Sequence, residues 1–415
     1  MVRLNSKYDK EFKVSFINVL RGNAGVVIIG LSMLFLGKMI VDPVFPRFAE
    51  ELGATPFIIG VLYSIEAIVY TLAQIPGGYI ADRWGRKNLI CLMMFVVALS
   101  YVFFAVAVSW HILAIGIALL NFAMMYSPAV RALFADSVPQ QYRGLAFTLY
   151  RLIPGIVSVF ALPIASFLIL KYGFVPGVRL GYILLILLSL VSAIFFTVCL
   201  KETLPSSQSR LRKIHPKALV KEYVQSYLAT SRSFKGLSVT VLLISISYAI
   251  CHGFYILYGI HVVGIEDWQW PIVYLLAFVV YTVSSIPIGK MIDVIGRKPP
   301  MLLSAVLYIP GILIFINAKC LVECAVGYTF VLVSSSFFWP SYMAMEADLI
   351  PSRERGKIMA LMNILMELPY IFFTPLGGYL FTLNPLNPFI SSIIIAIAAY
   401  LVALTLINER KAKPQ

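Results

Sequence analysis

Several ionisable side chains interrupt long apolar stretches of this chain, and their spacing indicates the chemistry they could perform. Lys38 and Asp42 are four residues apart, so on a helix they share one face and can form an ion pair. Glu66 and Glu367 each lie within an apolar run. Burial disfavours the charged form of a carboxylate, so such a group can take up a proton on one side and release it on the other. Glu66, Asp42 and Glu367 are therefore the candidates for proton coupling.

Aromatic side chains accompany a second set of polar residues and predict a lined cavity. His252 is flanked by Tyr248 and Tyr255 at helical spacing, a mixed face typical of a wet cavity wall, although a stripe of tyrosines alone is more often packing. Trp339 and Tyr342 join an apolar ring to a polar group and suit a binding pocket. The full set of substrate-cavity candidates is Lys38, Tyr126, Arg151, Tyr248, His252, Tyr255, Trp339 and Tyr342.

These residues do not decide the charge of a ligand for the cavity. Carboxyl and aromatic groups together favour a lipophilic cation, through charge and cation–π attraction. Lys38, Arg131 and Arg151 favour an anion instead. Arg131 is also explained by a structural position near the inner membrane surface. Both substrate classes stay open at this point.

The elements that must hold these residues are membrane-spanning helices. Hydrophobic residues make up 60% of the 415 residues and charged residues 13%, whereas soluble domains average about half and about a quarter. A helix needs about 20 apolar residues to cross a bilayer. We identify twelve such runs, six on each side of a polar stretch over 201–236. Runs of this length indicate helices rather than the short alternating strands of a membrane barrel.

Two parts of the chain repeat at a fixed offset. The stretch Pro128–Pro163 recurs 212 positions later as Pro340–Pro375, with Pro, Asp, Pro and Arg-Gly at matching places. The segment Gly78–Lys87 recurs at Gly289–Lys298, an offset of 211. Such self-similarity indicates duplication, and in a membrane protein it predicts two halves with a substrate path between them. The predicted divisions are an N-terminal six-helix half (1–200), a basic cytoplasmic linker (201–236) and a C-terminal six-helix half (237–415).

The formal net charge of +14 follows membrane topology rather than nucleic-acid binding. Lys and Arg cluster in alternate loops, which is the positive-inside pattern. The pattern predicts cytoplasmic termini and a basic face that attracts anionic lipid. We expect a multi-pass protein of the plasma membrane. We expect no cleaved signal peptide, because the basic N-terminal segment leads into a full-length span.

The segment Gly78–Lys87, with the pattern G-x-x-x-D-R-x-G-R-K, resembles the signature loop between spans two and three of the major facilitator superfamily. Its second copy, Gly289–Lys298, is similar to that family's loop between spans eight and nine, with Val294 where the first copy has Arg83. The resemblance covers almost the whole chain. It implies an all-α integral membrane fold with 12 transmembrane helices arranged as two pseudosymmetric six-helix bundles.

The resemblance also implies a gating role for the repeated motif. In the family, the aspartate of the first copy, here Asp82, faces the start of span eleven in the other half, and by pseudosymmetry Asp293 would face the start of span five. We expect Arg83 or Arg86 to pair with Asp136, and the second copy to form the equivalent pair. The gating residues implied in this way are Gly78, Asp82, Arg83, Gly85, Arg86, Lys87, Asp136, Arg143, Gly289, Asp293, Gly296, Arg297, Asp348 and Arg355.

The predicted function is secondary active transport by alternating access, coupled to protons, with export of amphipathic, drug-like compounds. The alternative is uptake of a small polar or anionic metabolite, since drug exporters of the family carry an Arg early in span four and 113–121 holds none. A membrane sensor is a further alternative, but it would need a sizeable soluble domain. An enzyme is not expected, because the four histidines are scattered, and the lack of a P-loop argues against ATP-driven pumping.

We expect no cofactor, no bound metal and no nucleic-acid partner. The expected partners are the lipid bilayer, a small-molecule substrate and protons, and one chain with both halves can work as a monomer. Cys320 and Cys324 flank a short outer loop. Their helical spacing rarely gives disulfide geometry, so a bond between them stays open.

Overall fold

The computed structural model describes residues 22–204, 225, 227–350 and 355–408, and nearly all of them are helical. Twelve helices within these ranges are long and apolar enough to cross a membrane, which confirms the predicted twelve spans. Most of the predicted linker lies outside the described residues. The helices are α1 (Asn23–Glu51), α2 (Pro56–Trp84), α3 (Arg86–Ala105), α4 (Trp110–Asp136), α5 (Arg143–Val159 with Ala161–Tyr172), α6 (Phe174–Cys199), α7 (Arg232–Cys251), α8 (Trp270–Ile295), α9 (Lys298–Ile316), α10 (Leu321–Leu349), α11 (Arg355–Leu383) and α12 (Asn387–Leu406).

Local breaks in α1 and α4 coincide with prolines and with candidate site residues. In α1 the helix tightens to a 3-10 turn over Asp42–Val44, around Pro43. In α4 a 3-10 turn over Met124–Tyr126 precedes a segment with proline in its first turn. Proline lacks the N–H of a regular helical hydrogen bond, so helices tighten or bend beside it. Two of the predicted functional side chains therefore sit at irregular helix turns.

The helix α7 ends at Cys251, well before the chain leaves the apolar region. Gly253 adopts a left-handed backbone with φ of 84°, and a short helix then covers Phe254–Tyr258. A π-helical turn follows over Gly259–Val263. Irregular backbone inside a membrane protein is tolerated where it is buried in protein or lines a water-filled cavity. His252, at this break, is exposed.

One compact packing unit contains the described residues of Met1–Asp42 and Ile68–Arg210. In it α6 packs against both α1 and α3, and α5 packs against α1. Ser192 of α6 donates a hydrogen bond to the Gly30 carbonyl of α1 over 2.9 Å. Small residues and interhelical hydrogen bonds of this kind hold membrane helices together, because lipid gives no hydrophobic drive.

A second compact unit contains Pro43–Ala67 with the described residues of Leu211–Gln415. The segment 43–67 is the end of α1 and the first part of α2, and it packs by hydrogen bonds. Ser64 donates to the Ile371 carbonyl of α11 over 2.6 Å, and the Trp270 indole donates to the Pro43 carbonyl over 2.9 Å. The sequence-based division into halves stays a prediction, since the packing units assign this segment by contact rather than by chain order.

Candidate functional site

An acidic–aromatic cluster forms in the second unit from Tyr63, Glu66, His252, Glu367 and Tyr370. The His252 ring lies 4.4 Å from the Tyr63 ring and 5.6 Å from the Tyr370 ring, edge-on to both. Tyr370 is close enough to Glu66 and to Glu367 to interact electrostatically with each. The structure therefore brings together two of the three proton-coupling candidates and one cavity candidate.

The cluster follows from matched helical spacing. Tyr63 and Glu66 are three residues apart on α2, and Glu367 and Tyr370 are three apart on α11. Side chains three apart on a helix are neighbours on one face. Each helix thus presents one carboxyl group beside one phenol, and α7 supplies His252 at its break.

Gly253 allows Tyr63 to approach that break. An added Cβ at Gly253 would lie 2.6 Å from Cε2 of Tyr63, in addition to the cost of the left-handed φ. Only glycine satisfies both conditions without strain. The contact between α2 and α7 therefore depends on this residue.

The polar members of the cluster are accessible although they lie in apolar spans. Glu66 and His252 are both exposed, and Glu66 lies well inside the span Pro56–Gln74. Ionisable side chains at membrane depth face a water-filled cavity or the protein interior rather than lipid. Exposure of ionisable groups at this depth is typical of residues that face an aqueous path.

An aromatic row continues from α7 to α10. The rings of Tyr248 and Trp339 stack at 6.3 Å, and Trp339 meets Tyr342 edge-on at 6.1 Å. The Tyr248 hydroxyl lies 3.4 Å from the Ser335 hydroxyl. Three cavity candidates therefore lie in one contiguous row, whereas Tyr255 packs against Phe315, Tyr328 and Phe389 in an aromatic core.

A basic–aromatic cluster forms separately in the first unit from Lys38, Asp42, Tyr126, Tyr150 and Arg151. The Lys38 ammonium lies 3.5 Å from the Asp42 carboxylate, and the Asp42 side chain is 54% exposed. Tyr126 is close enough to Lys38 and Tyr150 for electrostatic interaction, and so is Tyr150 to Arg151. Arg131 also acts on Tyr150. This cluster carries more positive than negative side chains.

The first copy of the glycine–aspartate motif is tied to the ends of α4 and α6. Arg86 pairs with Asp136 and also donates to the Thr203 hydroxyl over 3.3 Å. The Glu202 carboxylate accepts the backbone N–H of Lys87 over 3.0 Å, at the first turn of α3. A carboxylate at a helix N-terminus satisfies an unpaired N–H and interacts favourably with the helix dipole.

The second copy repeats the arginine–aspartate pair. Its contact with a helix end differs, because a cation meets backbone carbonyls there, whereas in the first copy a carboxylate meets a backbone N–H. Arg297 lies 3.3 Å from Asp348 and 3.6 Å from Asp293. The Lys298 ammonium donates to the Leu404 and Ile407 carbonyls at the end of α12, over 2.9 and 2.6 Å. Here a cation terminates a helix, where the first copy uses the carboxylate of Glu202.

The remaining gating residues keep their predicted role as a hypothesis. Gly85 and Gly296 have φ of 98° and 96° and form the turns after α2 and α8. Gly78 and Gly289 have open space where a Cβ would stand. Asp82 and Arg83 are exposed, Arg143 begins α5, and the Arg355 side chain lies outside the described residues.

A third set of charges, the Arg47 ion-pair cluster, lies at the opposite helix ends in the second unit. It consists of Arg47, Glu50, Glu51, His261 and Asp267. The Arg47 guanidinium contacts Glu50 at 2.8 Å, Glu51 at 2.5 Å and Asp267 at 3.1 Å. His261 Nε2 lies 2.9 Å from both Glu50 oxygens. The end of α1 is thereby joined to the segment between α7 and α8.

Sequence reasoning missed Tyr63, Tyr370, Glu202, Glu346 and the Arg47 ion-pair cluster. The three-residue spacing to Glu66 and Glu367 could have found the tyrosines, and Glu50 and Glu51 at helical spacing from Arg47 could have found the ion pairs. Glu202 and Glu346 adjoin other polar residues and give no periodic signal. Cys320 and Cys324 are free thiols, and no metal-binding group of three or more His, Cys, Asp or Glu occurs among the described residues.

Comparison with known proteins places this geometry in a family. The model of the family described as Major Facilitator Superfamily matches residues 27–278 and 268–415. The quinolone resistance protein NorA of Staphylococcus aureus (strain MRSA252) is 26% identical over 208 residues, which cover 47% of this chain and 50% of NorA. A Na(+), Li(+), K(+)/H(+) antiporter of Planococcus maritimus is 29% identical over 133 residues, 31% of each chain. The chain thus spans about half the length of the first relative and less of the second.

The fold has close counterparts among solved structures. A bacterial homologue of the human lysosomal transporter Spinster, in its inward-facing and unoccupied conformation, superposes with a TM-score of 0.74. The two chains are 14% identical, and the match covers 94% of this chain and 98% of the other. At that identity the likeness shows the fold alone, and it confirms the predicted twelve-helix architecture.

Proposed function

We propose that this chain, which belongs to the Major Facilitator Superfamily, exports lipophilic organic cations in exchange for protons. It is a multi-pass membrane transporter rather than an enzyme. Its direction, substrate and coupling ion are the proposal. The observation that carries it is the acidic–aromatic cluster, in which Glu367 and Glu66 both act electrostatically on Tyr370 and the His252 ring meets two phenol rings.

The chemistry of that cluster suits an amphipathic cation. Aromatic faces attract cations by about 0.5–2 kcal/mol each, most strongly where water is excluded. Two carboxyl groups add charge complementarity, and the stacked rings of Tyr248 and Trp339 offer flat apolar surface. The similarity to a protein named for quinolone resistance supports export of an organic compound, and the similarity to a protein named as a Na(+), Li(+), K(+)/H(+) antiporter supports exchange for protons.

Gating follows from charge pairs at both ends of the helices. We assign the glycine–aspartate motif side to the cytoplasm, because Lys and Arg concentrate in the loops on that side. Plasma-membrane location with cytoplasmic termini, and function as a monomer, belong to the same proposal. The Arg47 ion-pair cluster then lies on the extracellular side and closes it while the substrate faces inward.

The basic–aromatic cluster supports the second candidate, uptake of a small anion. Lys38 and Arg151 stand near two tyrosines there, and the exposed Asp42 lies within 3.5 Å of Lys38. A carboxylate or phosphate ligand would displace Asp42 from Lys38. The experiment below separates this reading from cation export by the sign of charge on the transported probe.

The test is transport in proteoliposomes with an acidic interior and an alkaline exterior. Ethidium is the cationic probe, because its permanent charge prevents passive trapping by pH, and carboxyfluorescein is the anionic probe. We expect wild-type vesicles to accumulate ethidium against its gradient. Glu66→Gln and Glu367→Gln should each raise the KM for ethidium by about tenfold, the equivalent of about 1.4 kcal/mol.

Glu323→Gln is the matched control, because Glu323 caps the first turn of α10 and lies outside both clusters. Its ethidium transport should equal that of the wild type. Gradient-driven movement of carboxyfluorescein but not ethidium, abolished by Lys38→Gln, would overturn the export proposal in favour of anion uptake. Equal KM values in all three glutamine variants would remove the acidic–aromatic cluster from substrate binding.

A further inference from the structure

Glu346 of α10 is a buried acid in a membrane-spanning helix. Its exposed fraction is 6%, and it is the only Asp, Glu, Lys or Arg classed as buried among the described residues. The other buried polar side chains there are Ser, Thr and Asn. An isolated ionised carboxylate is costly to bury, so this group needs either a proton or a cationic partner.

The repeat shows that the fold does not require an acid at this position. Glu346 corresponds to Phe134 in the first half, by the same 212-position offset that relates Asp348 to Asp136. Phe134 packs edge-on or tilted against Phe147 and Tyr150, with ring distances of 5.2 and 4.9 Å. A carboxyl group therefore replaces a packing ring in only one of the two halves.

The arginine of the second motif copy, Arg297, pairs with Asp348 and Asp293. Within the described ranges, the titratable group that interacts with the Glu346 carboxyl is Tyr342, one turn earlier on α10. The helices α7, α8 and α9, which pack against α10, contribute none. The Tyr342 hydroxyl is itself buried, at 1% residue exposure, and it is close enough to Glu346 to interact with its carboxyl group.

Aromatic contacts lead from Glu346 and Tyr342 toward the acidic–aromatic cluster. Tyr342 meets Trp339 at 6.1 Å, and Trp339 stacks on Tyr248 at 6.3 Å. Tyr248 in turn acts electrostatically on Tyr370. Tyr342 thus lies between Glu346 and the aromatic row that leads toward the acidic–aromatic cluster.

We propose that Glu346 carries the coupling proton, while Glu66 and Glu367 bind the cationic substrate. This inference rests on the proposed proton-coupled export. The neutral carboxylic acid loses its proton to water when α10 rearranges in one access state, and the carboxylate takes one proton back from water in the other. Tyr342 is a positioning residue, which donates a hydrogen bond from its hydroxyl to the carboxylate while the charge is present.

The first test uses Glu346→Gln, which is always neutral, and Glu346→Asp, which retains a shorter carboxyl group. We expect Glu346→Gln to abolish ethidium accumulation driven by a pH gradient and to lose the proton release that ethidium triggers, followed by a pH dye in the lumen. Glu346→Asp should recover accumulation with a displaced pH profile. Accumulation by Glu346→Gln at the wild-type level would overturn the proposal.

Two further measurements keep the proposal testable if Glu346→Gln fails to fold or if ethidium is not the substrate. Tyr342→Phe should fold and move the pH profile of transport, whereas an unchanged profile contradicts the positioning role. Infrared spectra of the purified wild type should show the carbonyl stretch of a protonated buried carboxyl group, and Glu346→Asp should shift it. Absence of that band at every pH where the protein is folded would overturn the assignment of Glu346, whatever the substrate proves to be. Failure of ethidium transport with the band present would instead count against the proposed function.

Discussion

Arg47 and Asp267 join the end of α1 to the turn before α8, with Nε of Arg47 lying 3.1 Å from Oδ1 of Asp267. The same guanidinium also contacts Glu50 and Glu51. One cation thus holds three carboxylates, and its side chain is only 16% exposed. Charge-assisted contacts with little water around them stabilise more than exposed surface pairs do. We expect closure on this side of the membrane to depend on Arg47.

Arg47→Gln should destabilise the protein and slow transport. Removing the guanidinium leaves three carboxylates close together without a cation, and hydrogen bonds to charged groups contribute about 1.5–3 kcal/mol each. We expect a lower melting temperature in detergent and a lower ethidium turnover, with KM little changed. Lys319→Gln is the control, because it removes another cation from the loops on the same side as Arg47. Its melting temperature and turnover should match those of the wild type. An unchanged melting temperature for Arg47→Gln would contradict the structural role of the cluster.

His261 adds a further contact to the same cluster. Its Nε2 lies 2.9 Å from both oxygens of Glu50. Glu50 also contacts Arg47, and Glu51 and Asp267 complete the cluster. Loss of the imidazole should therefore weaken the cluster, although less than loss of Arg47, because only one carboxylate loses a contact.

The measurement for His261 is the melting temperature of purified His261→Leu beside those of the wild type and Arg47→Gln. We expect a melting temperature between the other two. A melting temperature equal to that of the wild type would show that the contact between His261 and Glu50 contributes nothing to the stability of the cluster.

Gly253→Ala tests the approach of α2 to the broken helix α7. The left-handed backbone costs a non-glycine residue about 1–2 kcal/mol, and the new Cβ would also meet Tyr63 at 2.6 Å. Gly264 is a matched control, because its φ of 80° carries the same backbone cost but nothing lies within 4 Å of an added Cβ. We expect Gly253→Ala to lower stability and ethidium affinity more than Gly264→Ala. Adding Tyr63→Leu should recover part of the lost stability in Gly253→Ala, and no recovery would argue that only the backbone is strained.

Asp82→Asn tests the gating role implied by the motif. The carboxylate is exposed at the end of α2 and has only a predicted partner at the start of α11. We expect the variant to express and melt like the wild type but to transport ethidium at a small fraction of its rate. Asp82→Glu, which keeps the charge, should retain more activity. Normal turnover of Asp82→Asn would remove this residue from the gate.

The helix count and order were predictable because the bilayer imposes a length of about 20 apolar residues on every span. The arginine–aspartate pairs of the repeated motif were also accessible, since Arg86 and Asp136 recur as Arg297 and Asp348 at nearly constant offset. A duplicated sequence makes such contacts predictable, because a contact in one repeat is expected at the equivalent positions of the other.

The contacts that differ between the halves could not be predicted in this way. The meeting of Glu66 and Glu367 at Tyr370 depends on how the first part of α2 packs on α11, which no helical periodicity specifies. Glu346 has no acidic counterpart in the first half, so comparison of the two repeats does not predict a functional acid at this position. Burial is a property of the packed structure, and it alone distinguishes Glu346 from its exposed neighbour Asp348.

Glu202 offers a test of the asymmetry between the two motif copies. Its carboxylate caps the N–H of Lys87, while in the second copy the Lys298 ammonium caps carbonyls of α12. Loss of an N-terminal cap costs about 1 kcal/mol, so Glu202→Ala should lower the melting temperature and free the start of α3. Glu202→Gln separates the hydrogen bond from the charge, because its amide oxygen still accepts the N–H. If transport by Glu202→Gln follows the wild type and that by Glu202→Ala does not, the cap alone matters; if both lose transport, the negative charge beside Arg86 is required. Full activity in both variants would show that this contact plays no part in gating.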